Sequence, residues 1–326
     1  MSWKGKHILI TGGTGSLGRV LVSKILAEHP DIRLLTVFSR DEFKQHQLRR
    51  DLPAKGYPGL RFVLGDVRDR EAVSAAISGV DVVIHAAALK QNPTGESFPD
   101  EFFKTNVDGT RHLIYAAATA GVGHLLMLST DKAVYPLSAY GASKLCAEKL
   151  MIAAQDRYPD TRFTVFRLGN LLGSRASVVG ALQADERGKV RITHPGMTRF
   201  SLQLSESARL CLEVLTMMRG GEIFVPHMHA YRLGDLVSAL FPDQEKVSEG
   251  PRRAEKMHEA ALCQEEVRYG FSYRNYCVIC PAKDAYSRWE KTAHTLPQDF
   301  TYRSDEHQRL LSAEALAKLL QSIKSG

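Results

Sequence analysis

Short runs of aliphatic and β-branched residues alternate with longer segments of helical periodicity over the first half of the chain. The runs are HILIT, LLTVFSR, RFVLGD, VVIHAA, HLLMLST and TVFRLGN. They are apolar almost throughout, which is typical of strands that are covered on both faces. This rhythm predicts an α/β fold with a doubly wound parallel sheet.

The first strand leads directly into Thr11-Gly-Gly-Thr-Gly-Ser-Leu-Gly18, and an amphipathic helix follows at once. Glycines let backbone amides approach a pyrophosphate at the positive end of a helix. A glycine pattern alone can be a tight turn, but the strand, loop and helix together favour a dinucleotide site. The predicted contacts are Gly12, Thr14, Gly15, Ser16, Leu17 and Gly18.

The end of the second strand distinguishes the two nicotinamide cofactors. NAD enzymes usually carry an acidic residue there, which accepts hydrogen bonds from the ribose hydroxyls. This chain has Ser39 and Arg40, and Lys44 follows one turn into the next helix. An arginine favours the 2′-phosphate of NADP, although a solvated Arg40 and Lys44 pair would look the same.

Further cofactor contacts are predicted where the third and fourth strands end. Asp66, with Val67 beside it, is placed to accept a hydrogen bond from the adenine amino group. His85 is expected to be a packed histidine and not a catalyst. Small residues that follow it would let the backbone line the cofactor: Ala86, Ala87 and Ala88.

The alternation weakens beyond residue 170, although EIFVP (222–226) reads as one more strand. We predict an NADP-binding domain of residues 1–170, to which strand 222–226 returns. A smaller, interleaved substrate-binding region then comprises residues 171–221 and 227–326. Ligands of open parallel sheets lie beyond the carboxyl ends of the strands, so motifs at those ends carry most weight.

Tyr140 and Lys144 lie four residues apart in YGASK, so a helix there would present them on one face. A lysine ammonium near the phenol would lower its pKa, so that Tyr140 could take a hydroxyl proton during hydride transfer. The spacing is common by chance, and its place after a fifth strand is what favours function. That strand also brings Thr130, Asp131 and Lys132 to the same edge of the sheet. Asp131 and Lys132 are either part of a solvated turn or an acid and a base at the pocket.

Charge and cysteine content argue against several other functions. The formal charge is +7, but the 43 basic residues are interspersed with 36 acidic ones, so no nucleic-acid partner is predicted. Five scattered cysteines indicate reduced thiols. Cys277-Val-Ile-Cys280 lacks a second ligand pair and reads as a buried strand, so no metal site is predicted. No long apolar run or cleavage signature is evident, and we expect a cytoplasmic chain without membrane contact.

Eight segments in order resemble the inverting UDP-N-acetylglucosamine 4,6-dehydratases, which are extended short-chain dehydrogenases. They are TGGTGSLG, FSRDEFKQ, HAAALK, STDKAVYP, YGASK, RLGNLLGSR, MTRF and GGEIFVP. The resemblance spans nearly the whole chain, and STDKA and MTRF are its specific part. It implies a Rossmann-type fold, NADP as cofactor, a UDP-linked sugar as substrate, a homo-oligomer and a place in glycan biosynthesis.

The resemblance also implies a reaction. The family oxidises C4 of the hexose, eliminates water across C5 and C6, returns the hydride to C6 and protonates C5 on the opposite face. In this chain Tyr140 would be the C4 base, Asp131 the acid at the C6 oxygen and Lys132 the C5 base. A lysine can act as a base if desolvation and cationic neighbours depress its pKa.

Matching segments carry over substrate contacts as well: Lys90, Thr130, Asn170, Thr198, Arg199, Arg252 and Glu255. Arginine suits a diphosphate because its planar fork donates two bonds. Departures from the family pattern fall near the expected sugar and nucleotide. Gln91 and Asn92 replace a histidine and an apolar residue, RPGEK becomes RRAEK with Ala254, GSRGS becomes GSRAS with Ala176, and Ser201 replaces an aromatic residue.

Two other functions stay open on the sequence alone. A nucleotide-sugar 4-epimerase or a C5-retaining dehydratase would share the glycine loop and Tyr140. An epimerase has no need of the charged pair, and the retaining enzymes typically have Asp-Glu where this chain has Asp131 and Lys132. A non-catalytic NADP-binding sensor or assembly protein should have lost the catalytic positions. Asp131, Lys132, Tyr140 and Lys144 are all present.

Overall fold

The computed structural model describes residues 2–52, 57, 59–173, 182, 188–306 and 310–324. Its strands are β1 (His7–Thr11), β2 (Leu34–Ser39), β3 (Leu60–Leu64), β4 (Val82–His85), β5 (His124–Thr130), β6 (Arg162–Leu168), β7 (Asn170–Leu172), β8 (Lys189–Ile192), β9 (Thr198–Gln203), β10 (Ile223–Pro226), β11 (His229–Arg232), β12 (Glu245–Ser248), β13 (Gly270–Tyr273), β14 (Tyr276–Ile279), β15 (His294–Thr295) and β16 (Leu310–Leu311).

The helices of these residues are α1 (Ser16–Glu28), α2 (Glu42–Asp51), α3 (Arg70–Ile77), α4 (Asn92–Ser97), α5 (Pro99–Phe102), α6 (Gly109–Thr119), α7 (Ala139–Arg157), α8 (Leu204–Met217), α9 (Leu233–Leu240), α10 (Gln264–Val267), α11 (Lys283–Glu290) and α12 (Ala313–Lys324). A π-helical turn, Phe103–Asp108, joins α5 to α6, and a 3₁₀ turn, Asp131–Ala133, follows β5.

The large sheet has the strand order β15-β13-β14-β10-β6-β5-β4-β1-β2-β3. The strands from β10 to β3 are parallel, and β14, β13 and β15 extend the sheet in antiparallel fashion. The predicted doubly wound sheet is therefore confirmed. The strand predicted at 222–226 pairs with β6 in parallel, with Ile223 opposite Val165. Strands β13 to β15 come from residues that the sequence analysis had assigned to the substrate-binding region.

Burial explains why the central strands are apolar throughout. All five residues of β1 are buried, as are those of β4 and β14. Helix α3 packs against α6 and α6 against α7, whereas α1 packs against α8. The predicted buried strand around Cys277 is confirmed, and burial raises the pKa of its thiol to about 12.

The rest of the described chain builds two small sheets, β16-β11-β9-β7 and β12-β8. They share a second apolar cluster around Ile192, Tyr231 and Leu236. Because β7 follows directly on β6, the four-stranded sheet begins at the carboxyl edge of the large sheet. Within the described ranges, no helix is both long and apolar enough to cross a membrane.

Candidate active site

The carboxyl ends of the parallel strands open into a cavity of about 450 Å³. It lies where the strand order reverses between β1 and β4, the usual ligand position in such sheets. Most of the residues predicted from the sequence line it: Gly12, Gly15, Ser16, Leu17, Gly18, Ala86, Ala88, Lys90, Thr130, Lys132, Tyr140, Lys144, Asn170, Arg199, Arg252 and Glu255. Two separate sequence patterns, the glycine loop and YGASK, thus meet at one site.

The glycine loop can be built only from glycine at two positions. Gly12 has a φ of +67°, and a Cβ there would lie 2.7 Å from the backbone N and Cα of Ala87. A Cβ on Gly18 would lie 2.5 Å from the carbonyl oxygen of Gly12. The loop therefore runs close to the strand end after β4 and leads into the N-terminus of α1. This backbone cradle fits the pyrophosphate of a dinucleotide.

The residues predicted to select NADP form a separate corner outside the cavity. Ser39 is buried, and its hydroxyl accepts a hydrogen bond from Gln45 Nε2 at 3.0 Å. Arg40 is half exposed, with Nη1 3.8 Å from Asp66 Oδ2, and Lys44 Nζ lies 2.6 Å from Asp41 Oδ2. Burial opposes ionisation of Asp66, but hydrogen bonds from Arg68 hold the pKa of its carboxyl below the usual value.

Several other predicted contacts are absent from the cavity lining of the described chain. The Thr14 carbonyl accepts from Arg19 Nε, and the Val67 carbonyl bonds His112 Nδ1. Ala87 lies against Gly12 instead. The hydroxyl of Thr198 bonds His258 Nδ1 at 2.9 Å and Ser304 Oγ at 2.6 Å. Thr198 thus links β9 to the segments that carry His258 and Ser304, outside the cavity lining.

His85 is a packed histidine, as the sequence analysis expected. Its Nδ1 lies 2.7 Å from Thr11 Oγ1 and its Nε2 lies 3.1 Å from Thr110 Oγ1. Burial and, to a smaller extent, the charge of Lys144 lower the pKa of its imidazole to about 3. The ring therefore stays neutral and joins β1, β4 and α6.

Helix α7 brings Tyr140 and Lys144 to the cavity. Ser138 caps the helix, since its hydroxyl accepts from the amide of Gly141 at 3.1 Å. Gly141 is required because a Cβ there would lie 2.2 Å from the Lys132 carbonyl oxygen. The Lys144 ammonium donates to the carbonyl of Leu128 at 2.7 Å, and burial lowers its pKa to about 8.

The expectation that Lys144 lowers the pKa of the Tyr140 phenol is wrong for this structure. Burial raises the pKa of the phenol above its ordinary value. The groups that oppose this rise are the Lys132 charge and a hydrogen bond with Thr130, and Lys144 is directed at Leu128 instead. Tyr140 therefore starts as a protonated phenol.

Asp131 and the partly buried Lys132 form an ion pair at the end of β5. Asp131 is fully buried, and Oδ1 accepts from Thr130 Oγ1 at 3.0 Å and from Lys132 Nζ at 3.1 Å. Lys132 Nζ also donates to Asn170 Oδ1 at 2.9 Å. In the part of the chain that the structure describes, Asp131 Oδ2 has no hydrogen-bond partner. Lys132 lines the cavity, whereas Asp131 lies behind it and is absent from the described cavity lining, so the pair is part of the wall and is not a solvated turn.

The sequence analysis expected desolvation and cationic neighbours to depress the pKa of Lys132, and this expectation is wrong. Burial, and the nearby Glu259 carboxylate, raise the pKa of Asp131. Burial alone would lower the pKa of Lys132, but the charges of Asp131 and Glu259 outweigh it and raise that pKa well above 10.5. The lysine's decisive neighbours are carboxylates and not cations, so Lys132 rests protonated.

Two charged residues of the cavity that the sequence analysis missed, Lys256 and Glu259, form an ion pair. Glu259 is 3% exposed and lies 3.4 Å from Lys132 Nζ, and Lys256 Nζ lies 3.4 Å from its other oxygen. Both residues come from the segment KMHE, directly after the matched Arg252 and Glu255. Only their proximity to that motif could have identified them.

The same segment also holds the predicted arginines in place. Arg199 is buried, and its guanidinium donates to Glu255 Oε1 at 3.1 Å and to the Thr198 carbonyl at 2.7 Å. Arg252 is exposed at the rim, and its backbone amide donates to Glu255 Oε2 at 3.4 Å. Ala254 between them has a φ of +59°, where the family pattern has glycine.

The other departures from the family pattern lie close to the cavity as well. Gln91 and Asn92 both line it, at the start of α4. Ser201 is buried in β9 opposite Asn170 of β7. Ala176 lies outside the described residues.

Comparison with known proteins identifies the family. A family model described as a polysaccharide biosynthesis protein matches residues 8–281. The chain belongs to this family. The resemblance inferred from the motifs is confirmed by relatives that are named UDP-N-acetylglucosamine 4,6-dehydratase (inverting).

Three similarities are informative. A Campylobacter jejuni protein named UDP-N-acetylglucosamine 4,6-dehydratase (inverting) is 37% identical over 328 residues, covering 97% of each chain. A Rickettsia conorii protein named UDP-glucose 4-epimerase is 41% identical over 281 residues, covering 83% of this chain and 82% of the relative. The X-ray structure of Pen from Bacillus thuringiensis superposes with a TM-score of 0.91 at 31% identity and covers 99% of both chains.

Proposed function

We propose that this protein is an NADP-dependent nucleotide-sugar 4,6-dehydratase that acts on UDP-N-acetylglucosamine and inverts C5. The observation that carries the proposal is the ion pair between the fully buried Asp131 and Lys132, whose side chain lines one cavity with Tyr140. An oxidation followed by water loss needs an acid and a base beside the site of hydride transfer. A 4-epimerase needs only the oxidation machinery.

The cofactor half of the proposal assigns residues 1–170, with strand 222–226, to NADP. Gly12, Gly15 and Gly18 would hold the pyrophosphate, and Ser39, Arg40 and Lys44 the 2′-phosphate corner. When bound, the nicotinamide would supply a reversible hydride acceptor. The preference for NADP rests on Arg40, which stands where NAD enzymes usually carry an acidic residue and whose guanidinium lies 3.8 Å from the Asp66 carboxylate.

The substrate half assigns residues 171–221 and 227–326 to the sugar nucleotide. Arg199 and Arg252 line the cavity with Lys90 and would neutralise a diphosphate. Asn170 already accepts from Lys132 and would share that bond with a sugar hydroxyl. A UDP-linked sugar and a homo-oligomer follow from the family resemblance and are part of the proposal.

In the reaction, the Tyr140 phenol must first give up its own proton to solvent, and the phenolate then takes the proton of the C4 hydroxyl as C4 is oxidised. The resulting ketone acidifies the C5 hydrogen. Lys132 takes that hydrogen as a proton, and Asp131 donates a proton to the departing C6 oxygen. The raised pKa of the Asp131 carboxyl suits a proton donor. The raised pKa of Lys132 means that the lysine must first give up a proton.

The test is incubation with NADP and a panel of UDP-, GDP- and dTDP-hexoses, with mass measurement of the sugar nucleotides. Loss of one water from UDP-N-acetylglucosamine is expected, and in deuterated water the product should carry deuterium at C5. Lys132→Ala should still bind cofactor and give no water loss. An isomer of unchanged mass would identify an epimerase, and full turnover by Lys132→Ala would remove the assigned base.

A further inference from the structure

Glu259 is a buried carboxylate that the reaction above does not use. Its Oε1 lies 3.4 Å from Lys132 Nζ and 3.9 Å from Arg199 Nε, and its Oε2 lies 3.4 Å from Lys256 Nζ. It is one of the residues that line the cavity. Three cations from three separate segments therefore converge on one acid.

The backbone around Glu259 is fixed independently of these charges. Its amide donates to Ser304 Oγ at 2.9 Å, and its carbonyl accepts from the amide of Ser304 at 2.8 Å. The amide of Ala261 donates to the Tyr302 carbonyl at 2.8 Å. The backbone of Glu259 is thus held at the cavity by the fold, independently of Lys132.

The side chain is incompletely satisfied for a purely structural acid. Among the described residues, Glu259 Oε2 has no hydrogen bond of good geometry, although the residue is only 3% exposed. Burying a carboxylate without full hydrogen bonding is costly unless opposite charges compensate. Burial would raise the pKa of Glu259, but Lys132, Arg199 and Lys256 together hold it below the usual value. The acid therefore remains a fixed negative charge facing Lys132.

We propose that Glu259 is a positioning residue of the reacting centre, which holds the Lys132 ammonium in the cavity with its proton on until that proton passes to Asp131. The inference deepens the proposed dehydratase function and rests on it. The transfer has a direct path, because Lys132 Nζ and Asp131 Oδ1 are hydrogen-bonded at 3.1 Å.

The Lys132 and Asp131 pair gains and loses no net proton in this scheme. Transfer from Lys132 to Asp131 converts an ammonium and a carboxylate into an amine and a carboxylic acid, without uptake from solvent. In the elimination the amine takes the C5 proton, the C5–C6 double bond forms, the C6–O bond breaks and the acid protonates the leaving oxygen. Lys132 is again an ammonium and Asp131 a carboxylate, so the ion pair of the resting chain returns.

Three charged groups around this centre act directly on the proton of Lys132. Asp131 and Glu259 favour the ammonium, and Arg199 disfavours it. Further groups coupled to this centre by charge are Lys90, Tyr140, Tyr231 and Lys256. Removing the Glu259 charge should therefore lower the pKa of Lys132, while Asp131 alone remains to oppose that fall.

The experiment measures this proton directly, without substrate. Trace acetylation of the cofactor-loaded protein with acetic anhydride, over a range of pH, gives the midpoint at which Lys132 becomes reactive, read by peptide mass spectrometry. Glu259→Gln should move that midpoint down by about one to three pH units, the usual effect of one close opposite charge. Glu259→Asp withdraws the charge by one methylene and should give a smaller fall in the same direction. Glu290→Gln, at the exposed end of α11, makes the same chemical change at the surface and should leave the midpoint unchanged.

Turnover then separates this inference from the proposed function. With UDP-N-acetylglucosamine, both limbs of the pH–rate profile should move to lower pH in Glu259→Gln, because losing a negative charge lowers the pKa values of Asp131 and Lys132 alike. A purely structural role would reduce the rate without moving the limbs. An unshifted Lys132 midpoint in Glu259→Gln or Glu259→Asp that still binds NADP would overturn the role of Glu259, even if the wild type dehydrates its substrate. A shifted midpoint in a protein that dehydrates no nucleotide sugar would instead overturn the proposed function and leave the charge-holding role standing.

Discussion

Replacing Asp131 by asparagine should separate the two halves of the proposed reaction. The amide keeps the size of the side chain, and its oxygen can still accept from Thr130 and Lys132, which both bond Oδ1 in the wild type. It cannot donate a carboxyl proton to the C6 oxygen. We expect C4 oxidation to survive and water loss to slow, so that reduced nicotinamide accumulates.

The expected size follows from the site. Losing a positioned acid typically costs about 10² to 10⁴ in rate, or about 3 to 5 kcal/mol in the barrier. Leaving a buried charge without a partner would cost stability of about 3 to 5 kcal/mol. Here Glu259 remains 3.4 Å from Lys132 Nζ, so the loss of stability should be well below that figure. The variant should therefore fold and bind cofactor.

The assay follows the absorbance of reduced nicotinamide after the protein is mixed with substrate. Tyr140→Phe is the matched control, because the proposed role of Tyr140 precedes that of Asp131. It should block the first hydride transfer and leave the nicotinamide oxidised. Accumulation of reduced cofactor by Tyr140→Phe and not by Asp131→Asn would show that the two roles are wrongly assigned.

Three further predictions test the cofactor corner, a strained loop and a buried lysine. Arg40→Asp should weaken NADP binding much more than NAD binding in titrations with each cofactor, and an equal loss would remove the argument for NADP. Ala254→Gly should raise the free energy of unfolding in denaturant titrations by about 1 kcal/mol, because the left-handed φ of +59° is unfavourable for alanine; a loss of stability would show that the strain is absent. Burial lowers the pKa of Lys144 from 10.5 to about 8, so the unfolded chain binds more protons between those values and the stability contributed by this site rises with pH there. Relative to Lys144→Met, the wild type should gain about 3 kcal/mol across that window in unfolding titrations, and parallel curves for the two proteins would contradict the lowered pKa.

Patterns local in sequence were enough to predict the frame of the site. Apolar strands that alternate with helices predicted the parallel sheet, because side-chain burial on both faces leaves a direct trace in composition. The glycine loop could be predicted because Gly12 and Gly18 meet backbone atoms that no larger residue could face. The four-residue spacing of Tyr140 and Lys144 was sufficient because one helix carries both.

Tertiary structure alone decided the charge environment of the reacting centre. The sequence placed Lys132 beside Asp131, but it gave no indication that Glu259 lies 3.4 Å from the ammonium, since the two residues are far apart along the chain. The charges of Asp131 and Glu259 together reverse the expected pKa shift of Lys132, and Lys144 donates its hydrogen bond to the Leu128 carbonyl. Coulomb energies depend on distance and burial, which are set by how the segments pack and not by the order of residues in a motif. The sequence thus determined which chemical groups reach the cavity, and the packing of residues 256–259 against the end of β5 determined which of them hold protons.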